Sequence, residues 1–137
     1  NGSIAKSLSH YYESEKEKLH PFTKSRIEAG IPVSAKQYIE AIENAKKMQK
    51  TLSKFFNKFD AIITPAATGQ APRDLMNTGN AIFNGYWTMM GVPAISLPLL
   101  KGEDSLPIGI QIISSWNEDF KLLKIAEYIL QETKKAC

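Results

Sequence analysis

Apolar residues recur every three or four positions over much of the chain, which is the spacing of helices with one buried face. The clearest case predicts a long helix over Ser34–Lys58, because Ser34-Ala-Lys-Gln37 has the form of a capping box. A second capping box, Ser115-Trp-Asn-Glu118, predicts the start of a last helix that runs to about Thr133. Weaker helical patterns cover three further segments, Ser3–Leu19, Pro21–Gly30 and Thr78–Met90.

Three short apolar runs predict strands between these helices: Asp60–Pro65, Ala94–Leu97 and Pro107–Ile113. Proline closes the first run and follows the second, where it cannot donate to a sheet ladder. Ala66–Asn77 is rich in Gly, Pro and polar residues and is expected to be a loop. Strands this apolar are expected to be covered on at least one face, and the second strand on both.

The order helix, strand, helix, strand, strand, helix is typical of an α/β fold. The length of 137 residues fits one domain, with a helical N-terminal segment over 1–32 and an α/β core over 33–137. Three strands make a thin version of a covered sheet. We therefore expect about three buried strands that belong to a larger mixed sheet covered by helices.

The composition is typical of a globular domain and does not indicate a particular reaction. The chain is 43% hydrophobic and 23% charged with a net charge of +3, as in ordinary globular domains. It has no block of five like charges and no membrane-length apolar run, so neither nucleic acid nor membrane is an expected partner. Cys137 is the only cysteine, which excludes an internal disulfide and favours a reducing compartment, the cytoplasm.

Residues with catalytic chemistry do not form a recognisable set. His10 and His20 have no cysteine or carboxylate at metal-ligand spacing, so no metal is expected. The Ser114-Ser115 pair is better explained by a helix cap at Ser115, and Cys137 has no nearby histidine to activate it. The glycines are isolated, so no phosphate-binding loop and no cofactor are predicted. Composition and spacing alone predict no catalytic constellation.

Four motifs in a fixed order carry more information than any of them alone. They are Ser-Ala-x-x-Tyr at Ser34–Tyr38, an Asp followed by a strand ending Thr-Pro at Asp60–Pro65, Phe-Asn-x-x-Trp-Thr before Gly-x-Pro-Ala at Phe83–Ala94, and Leu-Pro-x-Gly-x-Gln at Leu106–Gln111. Together they resemble the C-terminal third of the amidase signature family, over about Glu17 to Leu130. The resemblance implies a mixed sheet with helices on both faces.

The resemblance also implies which parts of the chemistry this chain lacks. Amidase signature enzymes use a Ser nucleophile, a second Ser and a Lys, and the serines lie in a Gly-Gly-Ser-Ser-Gly-Gly-like stretch. No such stretch occurs in the sequence, so no catalytic residue can be assigned and the chain alone is expected to be inactive. Asn84 and Trp87 are expected to form part of the wall that holds a small-molecule amide substrate, although both residue types also fit a packing role.

Two classes of function remain open from the sequence. In the first, the chain is the C-terminal fragment of an amidase-family hydrolase. The Phe-Asn-x-x-Trp-Thr form favours a general amidase over the amidase subunit of a tRNA-dependent amidotransferase. In the second, it is a non-catalytic subunit or binding module that keeps the amidase C-terminal fold. In either case the uncovered sheet is expected to make the chain self-associate as a symmetric dimer, with apolar contacts from Trp87, Met90, Ile95, Leu97, Ile110 and Ile112. The alternative is a monomer in which Ser3–Leu19 folds back over the gap.

Overall fold

The computed structural model describes residues 1–74 and 77–135. Helices α1 (Gly2–Ser7), α2 (Ser9–Glu15), α3 (Pro21–Glu28) and α4 (Ala35–Phe56) are followed by strand β1 (Ile62–Pro65) and helix α5 (Gly85–Met90). Strands β2 (Ala94–Lys101) and β3 (Pro107–Ile113) and helix α6 (Asp119–Lys135) complete the order. The chain divides into two compact units, Asn1–Asn44 and Ala45–Cys137, with the division inside α4.

The first unit is helical, but its predicted Ser3–Leu19 helix is interrupted. Leu8 has φ −106° and ψ 8°, which separates α1 from α2, and a 3₁₀ turn over Lys16–Lys18 follows. Pro21 begins α3 as predicted, and His20 caps that helix by accepting from the Phe22 N–H through Nδ1 at 3.3 Å. A β-carbon at Gly30 would collide with the Ala5 side chain, so glycine permits this close approach.

The capping box that starts α4 is confirmed. The Gln37 N–H donates to Ser34 Oγ at 3.2 Å, and the Ser34 N–H donates to Gln37 Oε1 at 2.9 Å. Two otherwise unpaired backbone donors are therefore satisfied reciprocally, and the helix that follows extends for 22 residues.

The second unit contains a three-stranded antiparallel sheet in the order β1-β3-β2. β3 is therefore the central strand. The prediction that the second strand is covered on both faces is wrong, because Ala94, Ser96 and Pro98 on one face of β2 are exposed. β2 is an edge strand, and it continues through Pro98 to Lys101. An edge strand tolerates a residue that cannot donate, and the pairing shifts register between Leu97 and Leu100 at this point.

Helix α6 covers one face of this sheet. Leu97 and Ile112 from the strands pack with Leu122 and Ala126 from the helix, and all four are at most 4% exposed. Leu97, Ile112 and Met90 are thus buried within the unit, so the expectation that they face a partner is wrong for these three. The apolar side chains that remain exposed near the strands include Ile63, Leu100 and Leu123.

Two predicted helix starts are also wrong, and local side-chain hydrogen bonds explain the first. Asn77 and Asn80 accept from the Gly79 and Ile82 N–H groups, which holds the segment after Thr78 in turns, and α5 begins only at Gly85. Ser115 does not cap α6, which begins at Asp119. The carbonyl oxygen of Ser115 instead accepts from the Glu118 N–H at 3.1 Å in a turn.

The described residues include no helix with both the length and the apolar character needed to cross a membrane. Cys137 lies outside the described residues.

Candidate functional site

A polar row crosses the sheet on the face opposite α6. Thr64 in β1 and Ser96 in β2 are both register partners of Gln111 in β3. Side chains alternate between the faces of a strand, so this row lies opposite the face that carries Ile112. Gln111 is only 8% exposed, and a buried amide at this depth requires hydrogen-bond partners.

The partners of Gln111 form a chain of side-chain hydrogen bonds. Thr64 Oγ1 donates to Gln111 Oε1 at 3.4 Å, and Gln111 Nε2 donates to Asn84 Oδ1 at 3.0 Å. Asn84 Nδ2 then donates to the carbonyl oxygen of Ala66 at 3.2 Å. The chain links β1, β3, the residue before α5 and the start of the loop that follows β1.

That loop bounds a cavity of about 460 Å³. Its described lining comes from residues 66–72, Asp74 and residues 77–80, with Ser96, Pro107 and Gly109 from the strands. A β-carbon at Gly109 would collide with the Ser96 hydroxyl and press against the Ala66 side chain. Glycine at this position therefore keeps the floor of the cavity open, and the volume falls in the range of small-molecule sites.

A second anchor holds the same loop against the turn between β2 and β3. Arg73 donates to both carboxylate oxygens of Asp104, at 2.5 Å from Nη2 and 3.3 Å from Nε. Gln70 Nε2 donates to Asp104 Oδ2 at 2.6 Å, and the Asp104 N–H donates back to Gln70 Oε1 at 3.2 Å. The Arg73 guanidinium, with a smaller contribution from Gln70, holds the pKa of Asp104 below its ordinary value of 3.8.

The two residues predicted for the substrate wall occupy different positions. Asn84 is half-buried, and its side chain is engaged with Gln111 and Ala66 at the base of the cavity. Trp87 lies on α5, is half-buried, and is not among the described residues that line the cavity. Asn84 is not among these lining residues either, and it reaches the cavity only through its hydrogen bond to the Ala66 carbonyl.

No serine among the described residues is hydrogen-bonded to a lysine or histidine side chain. Ser114 is fully buried, and its hydroxyl has no partner in the described part of the chain, while Ser115 lies in the turn before α6. Within residues 1–74 and 77–135 no group of three or more His, Cys, Asp or Glu residues could hold a metal ion. Within the described residues, no side chain of this region is arranged as an activated nucleophile.

Sequence reasoning missed Gln111 and the Gln70–Arg73–Asp104 anchor. A signal for Gln111 was present, since it is the one polar residue in Ile110–Ile113 of a central strand and such a residue needs a partner when buried. No comparable signal marks the anchor, because its members are separated by about thirty positions and meet only through the fold.

Comparison with known proteins identifies the family of this chain. The family model described as Amidase matches residues 2–123. The chain belongs to the amidase family. Its relatives include the A subunit of the mitochondrial glutamyl-tRNA(Gln) amidotransferase of Aedes aegypti, 28% identical over 90% of this chain and 28% of that protein. The corresponding protein of Clostridium botulinum (strain Eklund 17B / Type B) is 31% identical over 96% of this chain and 30% of its own length.

Solved amidase structures share the fold. A crystal structure of an amidase superposes with a TM-score of 0.81 at 22% identity, over 93% of this chain and 32% of that one. The predicted family and the α/β fold class are thereby confirmed. The chain spans about three-tenths of the length of these relatives.

Proposed function

We propose that this chain supplies scaffold and part of the substrate-pocket wall of an amidase-family hydrolase. The complete form would cleave a carboxamide C–N bond by acyl transfer. A Ser would act as nucleophile, a second Ser and a Lys would accept its proton, and backbone N–H groups would hold the oxyanion. The family match over residues 2–123 carries this proposal, because it includes the loop and strands that bound the cavity.

We assign Asn84 and Trp87 to the substrate wall of the complete enzyme, where residues from outside this chain would complete the pocket, and we assign no catalytic role to any residue of this chain. Asn84 fixes the first residue of the loop through the Ala66 carbonyl. Trp87 presents a half-buried indole that is suited to an apolar substrate group. The substrate class is a small amide, and the reaction requires no metal or organic cofactor. The protein is proposed to act in the cytoplasm.

The first experiment tests whether this chain has amidase activity by itself. The purified chain is assayed alone against aliphatic and aryl amides at high protein concentration. It is then mixed with the separately expressed N-terminal two-thirds of an amidase-family protein. We expect no turnover alone and turnover in the mixture. Amidase activity that follows the isolated chain through purification would contradict the proposal that the chain alone is inactive.

The second experiment examines the pocket wall in the active mixture. Replacing Trp87 by Ala is expected to raise KM more for bulky aryl amides than for acetamide, with a smaller effect on kcat. Tyr86→Ala, an exposed neighbour on the same helix, is the control. A mixture that forms a stable complex without any turnover would favour a non-catalytic subunit or binding module.

A further inference from the structure

A groove separate from the cavity described above lies beside the C-terminal half of α4. One wall is formed by α4 side chains, with Leu52 and Phe56 as its apolar part. The opposite wall is formed by Val92, Ser115 and Trp116. Its volume is about 370 Å³, and it shares no lining residue with the cavity of the 66–80 loop. We call it the α4 groove.

The α4 groove is shaped by interactions within the second unit. Gln49 on α4 donates from its side-chain amide to the carbonyl oxygen of Met90, which holds the helix against the end of α5. Gly91 then turns the chain with φ 65°, and a second turn with Asn117 at φ 61° presents Trp116. Both walls are therefore fixed by hydrogen bonds and turns, as expected of a preformed site.

The charge of the groove has one sign. The segment 45–59 contains five lysines and no Asp or Glu, whereas the whole chain has a net charge of only +3. Two of these lysines, Lys46 and Lys50, line the groove one helical turn apart. Neither forms an ion pair within the described residues. Two ammonium groups that lack a carboxylate partner beside an apolar surface complement a ligand with one anionic and one apolar end.

We propose that the α4 groove binds a small amphipathic carboxylate. The apolar body of the ligand lies against Leu52, Phe56 and Trp116, and its carboxylate lies between Lys46 and Lys50. Lysine is suited to this contact because each ammonium group offers three donors on a flexible stem. This site is independent of the amide pocket, so its failure leaves the proposed function untouched.

The test titrates the full 137-residue chain with 1-naphthoate and with 1-naphthalenemethanol, a neutral molecule of similar shape. Binding is followed by calorimetry and by the amide shifts of Val92 and Trp116. We expect the neutral compound to bind several-fold more weakly. Lys46→Gln and Lys50→Gln are each expected to weaken naphthoate binding by about three- to fivefold, the upper range for an exposed charge pair.

Lys47→Gln is the matched control, since it removes the same charge from the same helix at a position that does not line the groove. It is expected to change the affinity less than about twofold. Equal losses in all three variants would overturn the proposal in favour of a diffuse basic surface, as would heparin binding that weakens equally in all three. Equal affinity for the neutral compound would also overturn it, since the lysines would then have no role. Circular dichroism checks that each variant folds.

Discussion

The side-chain amide of Gln111 donates to the side-chain oxygen of Asn84 at 3.0 Å. This bond joins the central strand to the residue before α5, and Asn84 continues it to the Ala66 carbonyl. In each residue the amide oxygen accepts a hydrogen bond and the amide nitrogen donates one. Gln111 and Asn84 therefore fix each other's side-chain orientation. The base of the cavity loop is thereby tied to the most buried strand of the sheet.

Replacing Gln111 by Leu should destabilise the protein by about 1–3 kcal/mol, because Asn84 and Thr64 lose a buried partner. Urea unfolding followed by circular dichroism measures the change. Amide exchange at Ala66 should quicken in the same variant, since its anchor loses support. Gln131→Leu, an exposed change on α6, is the control and should alter stability by less than about 0.5 kcal/mol. Unchanged exchange in the loop would show that the hydrogen-bond chain does not hold it.

The capping box at Ser34 predicts a second effect. Ser34→Ala removes the acceptor for the Gln37 N–H and should cost about 1 kcal/mol. Urea unfolding and amide exchange at Gln37 measure it. Ser115→Ala is a matched control because Ser115 does not cap α6, and it should shift stability by only a few tenths of a kcal/mol. Equal costs in the two variants would mean that Ser115 has a structural role that its turn does not explain.

The anchor at Asp104 should respond to pH. Its folded pKa lies below the ordinary 3.8, so its stabilising contribution is fully present above that value and is lost as the pH falls through the lowered folded pKa. An NMR titration of the Asp104 carboxyl should show this low pKa. Arg73→Gln should move the pKa upward, because Arg73 is the main cause of the shift. Lys101→Gln removes a charge that is close in sequence but does not contact Asp104, and it should leave the pKa in place.

The buried hydroxyl of Ser114 leads to the prediction that its removal does not destabilise the protein. It has no hydrogen-bond partner within the described residues, and an unsatisfied buried hydroxyl is costly. Ser114→Ala should therefore leave stability unchanged or raise it by up to about 1 kcal/mol. Ser114→Thr adds a methyl group to a fully buried position and should lower stability by about 1–3 kcal/mol. A loss above about 1 kcal/mol in the alanine variant would indicate that the hydroxyl is bonded in solution.

Part of the fold can be predicted from patterns of residues that are close in sequence. The Ser34–Gln37 capping box and the alternating face of Ile108, Ile110 and Ile112 were sufficient to predict α4 and β3, because both depend on residues close in sequence. The position of β2 was not predictable in this way. Its apolar character predicts cover on both faces, but its place at the edge of the sheet is decided by long-range pairing with β3.

The candidate site was predicted only in part for the same reason. The polar group of Asn84 beside apolar neighbours predicts a place in the substrate wall, and in the structure Asn84 is hydrogen-bonded to Ala66, a lining residue of the cavity, without lining it itself. Its partner Gln111 is 27 positions away, and the Arg73–Asp104 contact spans 31 positions. Such pairings depend on the register of the sheet and the path of the loop, which local patterns do not determine.

The exposed edges of the sheet lead to the last prediction, that the chain forms a symmetric dimer. β3 is central, so β1 and β2 each present one unpaired side. β2 is protected by Pro98 and by its register shift, both of which hinder further pairing. β1 also contains a proline, but Pro65 is its last residue and the pairing of β1 with β3 has no register shift. β1 carries Ile63, which is 62% exposed, and is therefore the better edge for a second copy. Light scattering over a dilution series should show a mass that falls from dimer to monomer. Ile63→Lys should favour the monomer, whereas Tyr128→Lys on α6 should not. A constant monomer mass with a sharp thermal transition would rule out this dimer.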